Sequence, residues 1–479
     1  MKGFIRLTSS AYQDGRHEAS RGVRMASKKA GRQLLRATRI AGILALGFGL
    51  TQGGTAARAA DVAPPAQVAV SPAPPVPEHD WALGTWGGVR SDLYRKGIDF
   101  QFVWVSEVAY NMTGGAENRI AQAGQLNLGV TFDLEKLFGD PGAIFQMTFD
   151  KREGRNLNHD AGLDMLVQPQ EVYGRGDIWR LTQFWYDQKF ANGVIDWKIG
   201  KMAVSEDITQ YPCVFMNLSF CGSAPGRGLA GNYFFNYPIG QWGTRVRFNA
   251  PEAYFTLAAY QMNPNVLKQS YGVNFDFSGG NGVLLPIEFG WLPAFDGGRL
   301  PGVYQFTAWY GSQQAQDVVA LNYPNLVPLS DLPVGGRWGV SFQMSQQLTH
   351  PSDDHPKQGL SLIGSMVMLD RATSTLNNQE TIGLVYHGPF ENRQGDEIAI
   401  AWGRTEVNSR LTNAAILSNV LVPGSAVVRR AEYPLEIYYN FHAYNGIDVR
   451  PNFQWIHCPG GVCNKPDVAI LGVKTVINF

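Results

Sequence analysis

The 479-residue chain contains no run of 18 or more apolar residues, and its longest, Ile40 to Leu50, is too short to cross a bilayer as a helix. That excludes a helical membrane protein. It leaves open a transmembrane barrel, whose alternating strands need no long apolar run. Charged residues are scarce at 17%. The chemistry-bearing patterns G-x-x-x-x-G-K-[ST], H-E-x-x-H and G-x-S-x-G are absent, so the sequence offers no P-loop, zincin or nucleophile-elbow chemistry. Gly226-Arg227-Gly228-Leu229-Ala230-Gly231 satisfies G-x-G-x-x-G, but it follows Ser223-Ala224-Pro225 rather than a strand and reads as a flexible loop. No cofactor and no enzymatic activity are expected. There are only four cysteines, in two local pairs: Cys213 with Cys221 and Cys458 with Cys463. Three connectivities are open to them, and proximity favours these two as loop staples in an exported chain. A zinc site on His457, Cys458 and Cys463 is the sharper alternative, but it lacks C-x2-C spacing and a second histidine.

What the chain does contain is Gly 54, Phe 26, Tyr 19 and Trp 12, a composition rich in turns and interfacial aromatics. Residues 1–60 read as a signal segment: many basic residues, then Ile40 to Leu50, then Ala57-Arg58-Ala59, the small-x-small pattern of a cleavage site. The basic stretch is long for a signal, and Met25 would start one of ordinary proportions. Removing residues 1–60 takes away 11 Lys+Arg and 2 Asp+Glu, so 40 and 40 become 29 and 38, a net charge of −9. An acidic mature chain argues against nucleic acid as a partner.

Residues 61–80 form a Pro-rich linker. In 81–97, Leu83, Trp86, Val89 and Leu93 fit one short helix that Thr85 can cap and Gly97 stops, placed at the periplasmic mouth of a barrel. Over 98–479 the periodicity is that of strands, in segments of about ten residues separated by Gly, Pro, Asn and Asp turns. In Ala143 to Arg152, Phe145, Met147 and Phe149 oppose Gln146, Thr148, Asp150 and Arg152. In Leu181 to Phe190, Phe184, Tyr186 and Phe190 oppose Gln183, Trp185, Asp187 and Lys189. In Gly243 to Phe248, Val246 and Phe248 oppose Arg245 and Arg247. In Glu436 to Tyr444, Ile437, Tyr439 and Phe441 oppose Glu436, Tyr438, Asn440, His442 and Tyr444. In the last segment Leu471, Val473, Ile477 and Phe479 oppose Gly472, Lys474 and Asn478.

A soluble sandwich shows the same alternation. Aromatics near segment ends and an aromatic last residue favour the membrane. The expected fold is therefore all-β: a transmembrane antiparallel β-barrel of about 16 strands, wide enough for an aqueous lumen.

Four stretches stand out in order: Trp86-Gly87-Gly88 with Arg90, Leu93, Gly97 and Ile98; Phe184-Trp185-Tyr186-Asp187-Gln188; Tyr237-Pro238, Gly243, Arg245, Arg247 and Pro251; and Pro451, Gln454, Pro459, Gly460 and Phe479. Together they resemble the carbohydrate-selective porins, the OprB family of Gram-negative outer membranes, with Asp187 where that family has Glu. The likeness runs in order over residues 81–479. It thins between Ser312 and Asn378, where Gly339 to Leu348 keeps part of a Gly-aromatic-Gln pattern. It implies passive, sugar-selective diffusion across the outer membrane, with small sugars such as monosaccharides as substrates. It also implies contact with outer-membrane lipid and lipopolysaccharide, and insertion by the barrel-assembly machinery through the last strand.

A sugar pore needs donors, acceptors and aromatic faces together. The polar faces supply Asp150, Arg152, Trp185, Asp187, Lys198, Arg245, Arg247, Tyr438 and His442 as candidate lumen residues. Arg245 and Arg247 weigh most, because an arginine facing lipid costs roughly 2 to 4 kcal/mol at midplane. They are expected either to narrow the lumen and bind hydroxyls or only to pair with wall carboxylates such as Asp150 and Asp187. Trp185 is a candidate stacking platform unless the register slips by one residue, and Trp197 belongs to the outer aromatic girdle. Two other readings compete with a sugar porin: a general diffusion porin, and a secreted all-β glycan-binding protein or glycosidase.

Overall fold

A computed structural model describes residues 81–227, 229–327, 333–353 and 355–479. The expected signal segment and linker, 1–60 and 61–80, lie outside the described residues. One antiparallel sheet closes on itself. Sixteen of its seventeen strands make the wall, and the other is a two-residue strip, Ala294–Phe295, paired to the foot of Leu300–Gln316. Each wall strand pairs with its chain neighbours, and the last, Val468–Asn478, returns to the first, Ile98–Thr113, with Val103 opposite Asn478 and Tyr110 opposite Leu471. Closure leaves no unpaired edge, which a chain in lipid requires.

The wall is inverted relative to a soluble protein. In Glu397–Val407, Ile398, Ile400 and Trp402 are exposed on the outside while Glu397, Ala399 and Ala401 are buried. In Ala431–Tyr444, Ile437 and Phe441 face out while Glu436, Tyr438 and Asn440 face in. In the last strand Leu471 is 49% exposed and Lys474 only 2%. Apolar side chains outside and polar ones inside form the pattern of a barrel in a membrane.

One end of the barrel has short turns, such as Pro251-Glu252 between Gln241–Ala250 and Ala253–Met262, and holds the segment before the first strand. The expected helix there is shorter, Val89–Arg95. Trp86, Gly87 and Gly88 have φ of 53°, 67° and 96°, a left-handed path that a helix cannot follow, so the first turn starts after them. Thr85 still accepts the Gly88 N–H at 3.2 Å. The helix sets Arg90 between the rings of Trp81 and Trp86, 3.6 and 5.1 Å from its guanidinium carbon, and Arg90 donates to the carbonyls of Phe100 and Phe479. Ala82 N–H donates to Asn478 O at 2.7 Å and Phe479 N–H to Phe102 O at 2.9 Å. The seam between the first and last strands is thus clasped from below.

The opposite end carries the long connections, and two of them fold inward. The first follows Ala143–Gly154 and brings Leu157, Ala161, Leu163 and Met165 against Ala109, Ala121, Ile456, Val468 and Ile470 on the inner wall. The second follows Ile195–Met202 and packs Val204, Ile208, Leu229, Tyr233 and Phe234 against Tyr260, Leu284, Trp309 and Val367. These segments carry too many large apolar side chains to lie in water, and the lumen is where they can bury them. The glycine-rich Gly226 to Gly231 stretch belongs to the second loop. Its described residues are packed rather than loose: Arg227 and Ala230 are 0% exposed and Leu229 5%.

Candidate functional site

The two inserted loops need anchors, because each brings backbone N–H groups away from water. Inward wall carboxylates supply them. Glu432 accepts from Leu166 N–H at 2.8 Å and Gly460 N–H at 2.7 Å. Glu436, four residues further along the same strand and on the same face, accepts from Met216 and Asn217 N–H at 2.9 and 2.7 Å. Glu288 accepts from Thr209 N–H at 2.6 Å, and from Tyr254 and Thr307 hydroxyls at 2.8 Å each. Glu107 accepts from Val172 N–H at 3.2 Å. A wall carboxyl oxygen that accepts from a buried backbone N–H satisfies a donor that would otherwise go unbonded, at a cost of about 1 to 3 kcal/mol. Four such ties hold the loops across the lumen.

Between the loops lies a cavity of about 940 Å³ that reaches the long-loop end at Gln316 and Thr373 to Thr375. Its charged lining is Arg152, Glu171, Arg175, Arg227 and Arg337, and Tyr173, Tyr211, Tyr233 and Tyr237 add aromatic faces. Arg152 Nε donates to Gln125 at 2.7 Å, and its Nη2 stands 3.9 Å from Glu171. The other Glu171 oxygen takes Lys474 Nζ at 2.9 Å, and that ammonium also meets Glu107 at 3.3 Å. Glu171 is therefore held from the wall side while its loop exposes it to the cavity. The Cys213 to Cys221 disulfide borders the same space, and its partner staple joins Cys458 to Cys463 at the barrel rim. With both Cys458 and Cys463 in a disulfide, the pair offers no thiolate to zinc, and His457 faces Asp467 at 2.9 Å.

Electrostatics at the loop residues follow from burial. Burial pushes the Glu206 carboxyl up to about 7, with Lys198 opposing. Burial acts upward on Asp207 too, but Lys198 and Arg245 together hold it below the usual carboxylate range. Burial, then the nearby Asp150 charge, lifts the Tyr237 hydroxyl well above its ordinary value. Burial, then repulsion from Arg152 and Arg180, draws Arg175 down to about 10.

Of the residues expected to line a sugar path, Arg152 lines this cavity. The others face inward but lie behind the loops or at the far end. Arg245 pairs with Asp187 at 3.0 Å, Asp196 at 2.7 Å and Asp207 at 3.1 Å. Lys198 meets Asp207 at 2.7 Å, and Arg247 donates to the Asp207 carbonyl at 2.8 Å. These cations do not narrow an open lumen; they pair with carboxylates and tie down the second loop through Asp207. Their partners are Asp187, Asp196 and Asp207, not Asp150. Asp150 instead receives the Tyr237 hydroxyl and lies beneath the loop. Trp185 faces inward, but its ring takes Lys198 Nζ at 4.2 Å and packs against the apolar cluster that the second loop forms with the wall. Tyr438 is spent on Glu397 and on the Phe215 ring at 4.9 Å. His442 sits near the short-turn end with Asp448 at 3.0 Å. Except for His442, which lies at the opposite end from the cavity, the physical reason is common: a loop that enters the lumen covers the wall it packs on.

Glu171, Tyr173 and Arg175 were not among the expected residues. They lie in a loop, which has no periodicity to mark which side chains point where. The available signal was the apolar content of the connections, Leu163, Met165, Val167 and Val172 in one and Phe215, Met216, Phe220 and Phe234 in the other, which no solvent-exposed loop would carry.

Residues 117–479 match the family described as carbohydrate-selective porin, OprB family. Porin B of Pseudomonas aeruginosa is 36% identical over 417 residues, 83% of this chain and 91% of that protein. A putative porin, QuiX, of Acinetobacter baylyi is 32% identical over 424 residues, 84% of this chain and 94% of that one. The high-pH structure of Pseudomonas putida OprB superposes with a TM-score of 0.80 at 36% identity, covering 84% of this chain and 99% of that chain.

Proposed function

The chain belongs to the OprB family of carbohydrate-selective porins and is a sugar channel of the Gram-negative outer membrane, and from that premise we propose that monosaccharides cross it by passing between the two inserted loops, gripped in transit by Arg152 and Glu171. The observation that carries this reading is the cavity of about 940 Å³ between the loops, which places a guanidinium, a carboxylate and tyrosine rings around one space. Its volume is within the range of small-ligand sites. Sugar hydroxyls donate to Glu171 and accept from Arg152, while C–H patches lie on the rings of Tyr173 and Tyr237. Both charged groups are pre-set by other bonds, to Gln125 and to Lys474, so little ordering is lost when a sugar arrives. Weak, multiple contacts suit a channel, where a solute must leave as readily as it enters.

Liposome swelling tests the reading. Glucose is expected to enter much faster than maltose and faster than amino acids of equal size, with Arg152→Ala slowing glucose relative to glycerol. Equal rates for glucose and the amino acids would mean a general diffusion pore. A glycosidase reading finds little support, because hydrolysis needs two carboxyl groups flanking the bond, and among the described residues Glu171 is the one carboxylate lining the cavity.

A further inference from the structure

Arg175 differs from its charged neighbours in having no partner. Among the described residues its side chain makes no hydrogen bond and no ion pair; the Phe235 ring lies 5.8 Å from its guanidinium carbon. The surrounding cations are occupied. Arg152 donates through Nε to Gln125 and stands 3.9 Å from Glu171, and Arg180 donates to the carbonyls of Val266, at 2.7 Å, and of Arg175. Across the cavity, Arg337 Nε is buried without a partner among the described residues. The lining thus holds four guanidinium groups, those of Arg152, Arg175, Arg227 and Arg337, against one carboxylate, and that carboxylate is already bonded to Lys474 at 2.9 Å.

The backbone supports the same conclusion independently. Gly174, Arg175 and Gly176 run through φ of 117°, 69° and 89°. Glycine enters this region without penalty, whereas a residue with a Cβ loses about 1 to 2 kcal/mol there. An arginine held in such a conformation between two glycines is an observed outlier at a ligand-facing position, where strain of this kind concentrates. The bend directs a partnerless cation toward the cavity, beside two others that repel it.

Resting on the reading of this cavity as the sugar path, we propose that Arg175, with Arg152 beside it and Arg180 behind, is a subsite for the carboxylate of a sugar acid, an aldonate or uronate, so that the channel carries acidic sugars as well as neutral ones. A hydroxyl can satisfy one or two N–H groups but brings no negative charge to Arg175, whereas Arg152 and Arg180 already have Asp150 near them. A carboxylate does both, and its two oxygens match the fork of a guanidinium.

The test uses the full-length barrel in planar bilayers and in liposomes, with sodium gluconate and glucose as probes and sodium chloride added to equalise ionic strength. Gluconate is expected to enter liposomes and to block ion current at lower concentration than glucose. Arg175→Gln should raise the half-blocking concentration of gluconate about tenfold more than that of glucose, as loss of one charge-assisted pair implies. Arg175→Lys, which keeps the charge and loses the fork, should recover part of that difference. The proposal is overturned if Arg175→Gln shifts both probes equally, which is what a merely structural role gives, or if gluconate is excluded while glucose enters. In that last case the sugar-channel reading stands. If glucose also fails to enter, both fall.

Discussion

An arginine inside a barrel wall must be paired, hydrated or bound, and the arginines here divide along those lines. Arg245 is fully paired, with three carboxylates within 3.1 Å. Its role is mechanical, and the double variant Arg245→Ala, Arg247→Ala should therefore raise single-channel conductance by releasing the second loop. Asp207→Asn should do the same to a smaller degree, since Asp207 is the loop's own end of the tie. If conductance stays at the wild-type value in both, the loop is held by other means. Glu206, on the same loop, gives a pH dependence with a definite sign. Its carboxyl is pushed up to about 7 by burial, well above an exposed glutamate at about 4.3. The neutral form is thus the one the folded loop favours. The stabilisation is fully present below the unfolded value and is lost as pH rises through about 7. Hydrogen-exchange protection factors in residues 203–227 and 229–240, corrected for the intrinsic pH dependence of exchange, should be higher at pH 5 than at pH 8, and Glu206→Gln should flatten that difference.

At the scale of elements, the loops and the mouth helix are each fastened by a few strong contacts. Glu436 binds two successive N–H groups of the second loop. Glu436→Ala leaves both buried and unbonded, a penalty of about 1 to 3 kcal/mol per group, and should give noisy, enlarged conductance steps in single-channel records. Glu436→Gln, which keeps an acceptor, should be milder. The mouth helix Val89–Arg95 matters through Arg90, which joins the carbonyls of Phe100 and Phe479 across the barrel seam. Arg90→Ala should lower the temperature at which the barrel unfolds on a heat-modifiability gel while leaving glucose swelling rates near wild type, because the seam is remote from the cavity. A fall in glucose entry with no change in that temperature would contradict the assigned role.

For the whole molecule, the two faces of the wall answer to different solvents. Leu471 and Lys474 are three residues apart on one strand, one outside and one inside. Leu471→Arg places a charge toward lipid and should cost roughly 2 to 4 kcal/mol near midplane, reducing the yield of folded barrel. Lys474→Ala should leave the wall intact and instead free Glu171 and Glu107, altering sugar block rather than assembly.

The barrel itself was legible in the sequence because it rests on local, periodic facts. Alternation in Ala143 to Arg152 and Glu436 to Tyr444, the missing apolar runs and the aromatic last residue each reflect a strand that meets lipid on one side and water on the other. Inward and outward faces follow from a period of two, which is why Arg245 and Lys474, both buried, share the inner side of the wall with Trp185. What lines the path was not legible, since it depends on where two aperiodic loops go once inside. Only the tertiary structure brought Asp207 to Arg245, Met216 to Glu436 and Glu171 to Arg152, contacts between residues tens to hundreds of positions apart. Sequence determined which surface each strand residue faces, because backbone geometry sets that residue by residue. The closed fold decided which inward residues reach the sugar, because a loop folded into the lumen hides some of the wall and adds side chains of its own.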